Sequence, residues 1–95
     1  MKGNTLSEFI DDLLTCGGPE KEFTFRGRQY FMEARYHVDT GMTELYLNEY
    51  GCEPEREFFF RGTDLRECVH KFEQSKIFNG LTIYEAEQEI EVLFG

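Results

Sequence analysis

Hydrophobic residues recur along this chain with two different periods, and the switches between them limit the fold more than any other feature. Leu6, Phe9, Ile10, Leu13 and Leu14 keep the spacing of a single helical stripe. Thr5 with Glu8 makes a capping box ahead of it, and Gly17-Gly18-Pro19 stops it, which predicts a helix over roughly 5–16. The period then drops to two. In KEFTFR, Phe23 and Phe25 share a face. In RQYFMEARYHV, Tyr30, Met32, Ala34 and Tyr36 share one face, and Phe31, Glu33, Arg35 and His37 the other. MTELYLNEY sets Leu45 and Leu47 against Glu44, Tyr46 and Asn48, and REFFFR sets Phe58 and Phe60 against Phe59. Such alternation predicts four strands. Their links, Arg26-Gly27-Arg28, Asp39-Thr40-Gly41 and Gly51-Cys52-Glu53-Pro54, are short enough for hairpins, hence for an antiparallel meander.

Helical spacing returns at Leu65, Cys68, Val69 and Phe72, with Thr63 or Asp64 as cap and Glu67 completing a second box with Asp64. Thr82 and Glu85 make a third box, which opens a helix over 82–94 with Ile83, Ala86, Ile90 and Leu93 on one face. EAEQEIEV also alternates with period two, as an edge strand would, but the cap and the length favour the helix. The expected fold is α+β: a four-stranded antiparallel meander in the order α-β-β-β-β-α-α, one domain over residues 1–95, with its helices mainly on one face. At 95 residues and 40% hydrophobic content, it needs neither metal nor disulfide for a core.

EFTFRG at 22–27 returns as EFFFRG at 57–62. The first continues into a strand pattern and the second into a helix pattern, so this is no structural repeat. It is one way of ending a strand, used twice: Phe toward the core, Arg at the water's edge, Gly for a positive φ at the turn.

Catalytic, cofactor and metal residues are not expected. Cys68 lies on the apolar stripe of its helix, Cys16 near a helix C-terminus, and Cys52 in a loop beside Glu49, Glu53 and Glu55, none of which favours a thiolate. His37 and His70 have no CxxC or HxxxH spacing around them that would suit zinc. No Walker, GxGxxG or EF-hand pattern occurs, and Gly17-Gly18 follows a helix instead of opening one. An acidic N-terminus in place of an apolar leader, and an odd set of three cysteines, suggest a cytoplasmic protein.

The net charge is −9. Residues 1–20 hold Lys2 against Glu8, Asp11, Asp12 and Glu20, and residues 77–95 hold Glu85, Glu87, Glu89 and Glu91 with no base. Such charge repels nucleic acid and anionic membranes and attracts basic proteins. Two surfaces stand out. One is an acidic strip of Asp11, Asp12, Glu85, Glu87, Glu89 and Glu91, which would imitate phosphate spacing if the first and last helices lie side by side. The other is an aromatic sheet face with Phe31, Tyr46 and Phe59, open if every helix covers the opposite face. The primary expectation is a non-catalytic domain that binds a basic partner, such as a nuclease or another nucleic-acid-binding protein. The alternative is a structural or homodimeric module that uses the aromatic face.

TDLRECVHKF followed by KIFNGLTIYEAEQEIE, after the hairpin that starts EFTFRGRQYF, resembles a group of small acidic bacterial or phage-borne proteins of no assigned function. That likeness implies the helix–strands–helix–helix order and a bacterial or phage origin. It brings no catalytic residue.

Overall fold

In the computed structural model, which describes residues 1–15, 20–51 and 53–94, the first apolar stripe forms helix α1 (Leu6–Thr15). Thr5 Oγ1 caps it by accepting the Glu8 amide at 3.2 Å, while the Thr5 amide goes to Asn4 Oδ1 at 2.9 Å and not to Glu8. The expected stop at Gly17-Gly18-Pro19 and the expectations for Cys16 and Cys52 lie outside the described residues. The four alternating runs form β1 (Lys21–Phe25), β2 (Arg28–His37), β3 (Met42–Tyr50) and β4 (Arg56–Gly62). Each pairs antiparallel with the next. Helix α2 (Leu65–Gln74) follows, capped by Asp64, whose carboxylate accepts the Glu67 amide at 2.9 Å.

The expectation of four strands and a long last helix is corrected. Helix α3 covers only Ile83–Ala86, opened by the complete Thr82–Glu85 capping box, and a single 3₁₀ turn (Glu87–Glu89) leads into a fifth strand, β5 (Ile90–Phe94). The sheet order is β4-β3-β2-β1-β5. Two forces favour the strand. A helix would set Glu85 against Glu89 and Glu87 against Glu91 at i, i+4, where like charges repel. The free edge of β1 offers a full ladder instead, and β5 takes it with Phe23↔Val92, Thr24↔Glu91 and Phe25↔Ile90 opposed. Ile90 is buried, as the helical stripe also required, but Leu93 is 55% exposed where the helix would have buried it.

The two EFxFRG segments end their strands differently. Arg26 and Gly27 both have positive φ, 49° and 78°, and form the two-residue turn between β1 and β2. Gly62 is not in the left-handed region. It is buried at the end of β4, where an added Cβ would stand 2.8 Å from Glu67 Cγ. Its lack of a side chain makes room for the start of α2, which corrects the expectation of a positive-φ turn there.

All three helices lay their buried residues on one face of the sheet. Leu6, Phe9 and Leu13 of α1, Cys68, Val69 and Phe72 of α2, and Ile83 and Ala86 of α3 share a core with Phe23, Phe25, Tyr30, Met32, Leu45 and Leu47. Expected core residues Ile10, Phe58, Phe60 and Leu65 are only half-buried against it. Phe78 joins the aromatic centre of the core, with ring centroids 5.4 Å from Phe25, 5.3 Å from Tyr30 and 6.4 Å from Phe72. A tight turn holds it in place, because Phe78 and Leu81 exchange amide–carbonyl bonds of 3.1 and 3.0 Å across Asn79 and Gly80. Among the described residues, no helix is long and apolar enough to cross a membrane.

Buried charge is held in pairs. Lys21 is fully buried, with Nζ 3.5 Å from Asp12 Oδ2 and over the Phe9 ring at 4.8 Å. Glu49 is equally buried, accepting the Tyr30 hydroxyl at 2.5 Å and a two-point contact from Arg56 at 2.8 and 3.0 Å. Burial pushes the Glu49 carboxyl up, but the hydrogen bonds from Arg56 and Tyr30 outweigh it, so its pKa lies below the usual glutamate value. Among the described residues, no buried side-chain nitrogen or oxygen is left without a partner.

Candidate functional site

Among the described residues every helix lies on one side, which leaves the other side of the sheet uncovered by them. Cross-strand pairing sets its side chains in rows. Arg35, Glu44 and Arg61 form one row across β2, β3 and β4; Glu33, Tyr46 and Phe59 the next; Phe31, Asn48 and Glu57 the third. Period-two alternation places them there, because each is the polar or surplus aromatic neighbour of a core residue.

At the centre, Tyr46 and Phe59 meet with ring centroids 5.4 Å apart, tilted by 52°. The Arg35 guanidinium lies 4.0 Å above the Tyr46 ring and that of Arg61 5.0 Å from the Phe59 ring. Arg35 Nε donates to Glu33 at 2.7 Å, and Tyr46 donates its hydroxyl to Glu57 at 2.8 Å. Burial, then the bond to Glu57, raises the Tyr46 hydroxyl above its ordinary pKa, so it stays a neutral donor. In the neighbouring row, between the two arginines, Glu44 is only 3% exposed. Arg61 Nε donates to it at 2.8 Å, with Arg35 and His37 at 3.7 Å on its other oxygen. Of the two arginines that cover the aromatic pair, Arg61 is thus held by the buried Glu44 carboxylate and Arg35 by Glu33, with Glu44 adding an ion pair at 3.7 Å.

The expected aromatic residues are therefore brought together in part. Tyr46 and Phe59 touch, and Phe31 lies one row away on the same face, half-buried. The acidic strip is scattered. Glu85 holds the Thr82 amide in its capping box. Glu89 receives Arg26 through bonds of 2.8 and 2.7 Å. Glu91 lies on β5, 3.2 Å from Lys2, and Asp12 sits beside Lys21. Asp11 lies on the α1 surface and Glu87 in the 3₁₀ turn. Sequence reasoning set Arg35 and Arg61 among the aromatics and Glu44 beside Tyr46, but assigned none of the three to a site. The available signal was the opposite charges of Glu33 and Arg35 on the strand face that carries Phe31, and of Glu57 and Arg61 on either side of Phe58, Phe59 and Phe60.

Clefts among the described residues lie off this face. A groove of about 500 Å³ runs between Leu6, Ile10 and Leu14 of α1 and Tyr84, whose hydroxyl donates to Glu73 and is pushed up to about 12 by that bond and by burial. A polar cleft of about 420 Å³ is lined by Arg28, Glu49, Arg56, Lys76 and Asn79. The third contains His70 between Asp64, Arg66 and Glu73. Cys68 is buried with its thiol on the Thr43 carbonyl at 3.2 Å, and burial raises its pKa. Among the described residues, no group of three or more His, Cys, Asp or Glu is placed to hold a metal ion.

No family model, curated protein or solved structure matches the chain, so its function has to be read from the geometry of this surface.

Proposed function

We propose that this is a non-catalytic protein-binding domain whose working surface is the uncovered sheet face, and that its partner is basic. One observation carries the reading: a touching aromatic pair flanked by two arginines, each held by a carboxylate, on a face that no helix of the described residues covers. Aromatic and arginine side chains are the residues that concentrate binding energy at protein contacts. The sign of the partner comes from the same rows. Glu22, Glu33, Glu44, Glu57 and Glu91 lie on this face against Arg35, Arg61 and the Lys2 that pairs with Glu91, five carboxylates to three bases, net −2 with neutral histidine. A nuclease or another nucleic-acid-binding protein, in a bacterial or phage setting, has the complementary charge.

A second reading keeps the acidic ends as the contact. It is favoured by the exposure of Asp11, Glu85 and Glu89 and by the net charge of −9. Affinity capture from the native host, at low and high salt, separates the two. The proteins held by the wild type should drop out with Phe59→Ser and with added salt, and should stay with Glu85→Gln/Glu87→Gln. Retention by Phe59→Ser with loss by the glutamine variant would transfer the function to the acidic ends.

A further inference from the structure

The two outer edges of the sheet are treated differently. On β5, Lys2 accepts the Val92 amide at 2.8 Å and donates its own to the Ile90 carbonyl at 2.9 Å, so the ladder continues by one bridge. On β4, the only edge contact among the described residues is Lys71 Nζ on the Arg61 carbonyl at 2.5 Å. The two-residue turn makes Phe25↔Arg28 a hydrogen-bonded pair, and antiparallel ladders alternate from there. The registers β2–β3 and β3–β4 contain no bulge. Carried across the sheet, the alternation turns the N–H and C=O of Glu57, Phe59 and Arg61 outward from β4.

We propose that this edge pairs antiparallel with β4 of a second copy, centred on Phe59. The segment Glu57-Phe58-Phe59-Phe60-Arg61 is complementary to itself in that register. Glu57 opposes the partner's Arg61 and Arg61 the partner's Glu57. Phe59 meets its own copy on the open face, and the half-buried Phe58 and Phe60 meet each other beneath it. The outward groups of three residues supply about six backbone hydrogen bonds, alternating as antiparallel pairs do. Lys71 is compatible with this, since a carbonyl oxygen has two lone pairs. A bare edge with an aromatic centre and charges of opposite sign at its two ends invites a single partner and a single register, where an edge of one charge would repel its copy. The pairing does not depend on the partner reading above, although it would join two open faces into one surface.

Sedimentation equilibrium and amide exchange test it on the full chain. The wild type should show a reversible monomer–dimer equilibrium. The amides of Glu57, Phe59 and Arg61 should exchange slowly only at concentrations where the dimer forms, while those of Phe58 and Phe60 are slow throughout. Glu57→Arg sets like charges opposite each other at both ends and should weaken association about tenfold or more. Mixed with an Arg61→Glu chain, it should form a heterodimer, because each reversed charge then meets its opposite. If Arg61→Glu does not fold beside Glu44, the exchange data on the wild type decide alone. A protein that stays monomeric at NMR concentrations overturns the proposal. So does a dimer in which the amides of 57, 59 and 61 stay fast, which would locate the contact on the sheet face. Capture by Tyr46→Ser, which alters the open face but no residue of the β4 register, reports on the partner reading separately.

Discussion

EFTFRG and EFFFRG differ at one position in six, yet one lies inside the sheet and the other at its border. β1 has a strand on each side and a helix above, so Phe23 and Phe25 are fully buried. β4 has one neighbour, so Phe58 and Phe60 stay half-buried, while Phe59, at the position of Thr24, is 44% exposed on the open face. The arginines differ as well. Arg26 meets an exposed carboxylate, Glu89, whereas Arg61 meets a buried one, Glu44. The shared phenylalanines thus serve as full core in one place and as half-buried border in the other because of the number of strands alongside, while the one difference, Phe59 for Thr24, puts an aromatic ring on the open face.

The largest test of that contrast is truncation of the rings. Phe23→Ala should cost about 3–5 kcal/mol and Phe58→Ala about 1 kcal/mol, read from urea unfolding. Equal losses would mean that β4 is as enclosed as β1.

The row Phe23–Tyr30–Glu49–Arg56 connects the first segment to the residue before the second. Glu49→Gln should cost about 1.5–3 kcal/mol by weakening charge-assisted bonds in that row. The pH dependence has a definite sign. The folded carboxyl titrates below its ordinary value of 4.5, so its contribution is complete above that value and fades as pH falls through the lower folded pKa. The stability gap between wild type and Glu49→Gln should therefore narrow on acidification below about 4.5. A gap that widens there would contradict the pairing.

The glycines separate next. Gly27→Ala and Gly62→Ala should each cost about 1–3 kcal/mol, for different reasons. At Gly27 an added Cβ meets nothing within 4 Å and only the positive φ resists it, so Gly27→Asn should recover most of the loss. At Gly62 the obstacle is Glu67, so Gly62→Asn should be worse than Gly62→Ala. Melting temperatures of the four variants decide it.

The smallest effect sharpens the arginine contrast. Arg61→Gln should cost about 1 kcal/mol by weakening the support of Glu44. Arg26→Gln should leave the melting temperature unchanged, since its contact with Glu89 is exposed to solvent. A larger loss at Arg26 would show that the contact of the β1–β2 turn with the 3₁₀ turn matters to folding.

Much of the architecture is written in local pattern. The stripe of α1, the alternation of β1 to β4, and the caps at Thr5, Asp64 and Thr82 all act within a few residues, and each formed where its pattern lies. The end of the chain was not decided locally. EAEQEIEV carries a capping box that starts a helix and an alternation that suits a strand, and the free edge of β1 settled the matter at residue 90. Phe78 is a lone aromatic beside a turn in the sequence, and only the stacking of α2 over the sheet makes it part of the core. The candidate site divides along the same line. Alternation alone put Phe31, Tyr46 and Phe59 on one face. Whether that face would be bare, and that Glu44 would be buried between two arginines, depended on all three helices choosing the opposite side. Periodicity specifies which residues share a face because it is a property of one strand. Which face is covered, and which strand becomes an edge, are properties of the assembled sheet, where burial is decided by neighbours far apart in the chain.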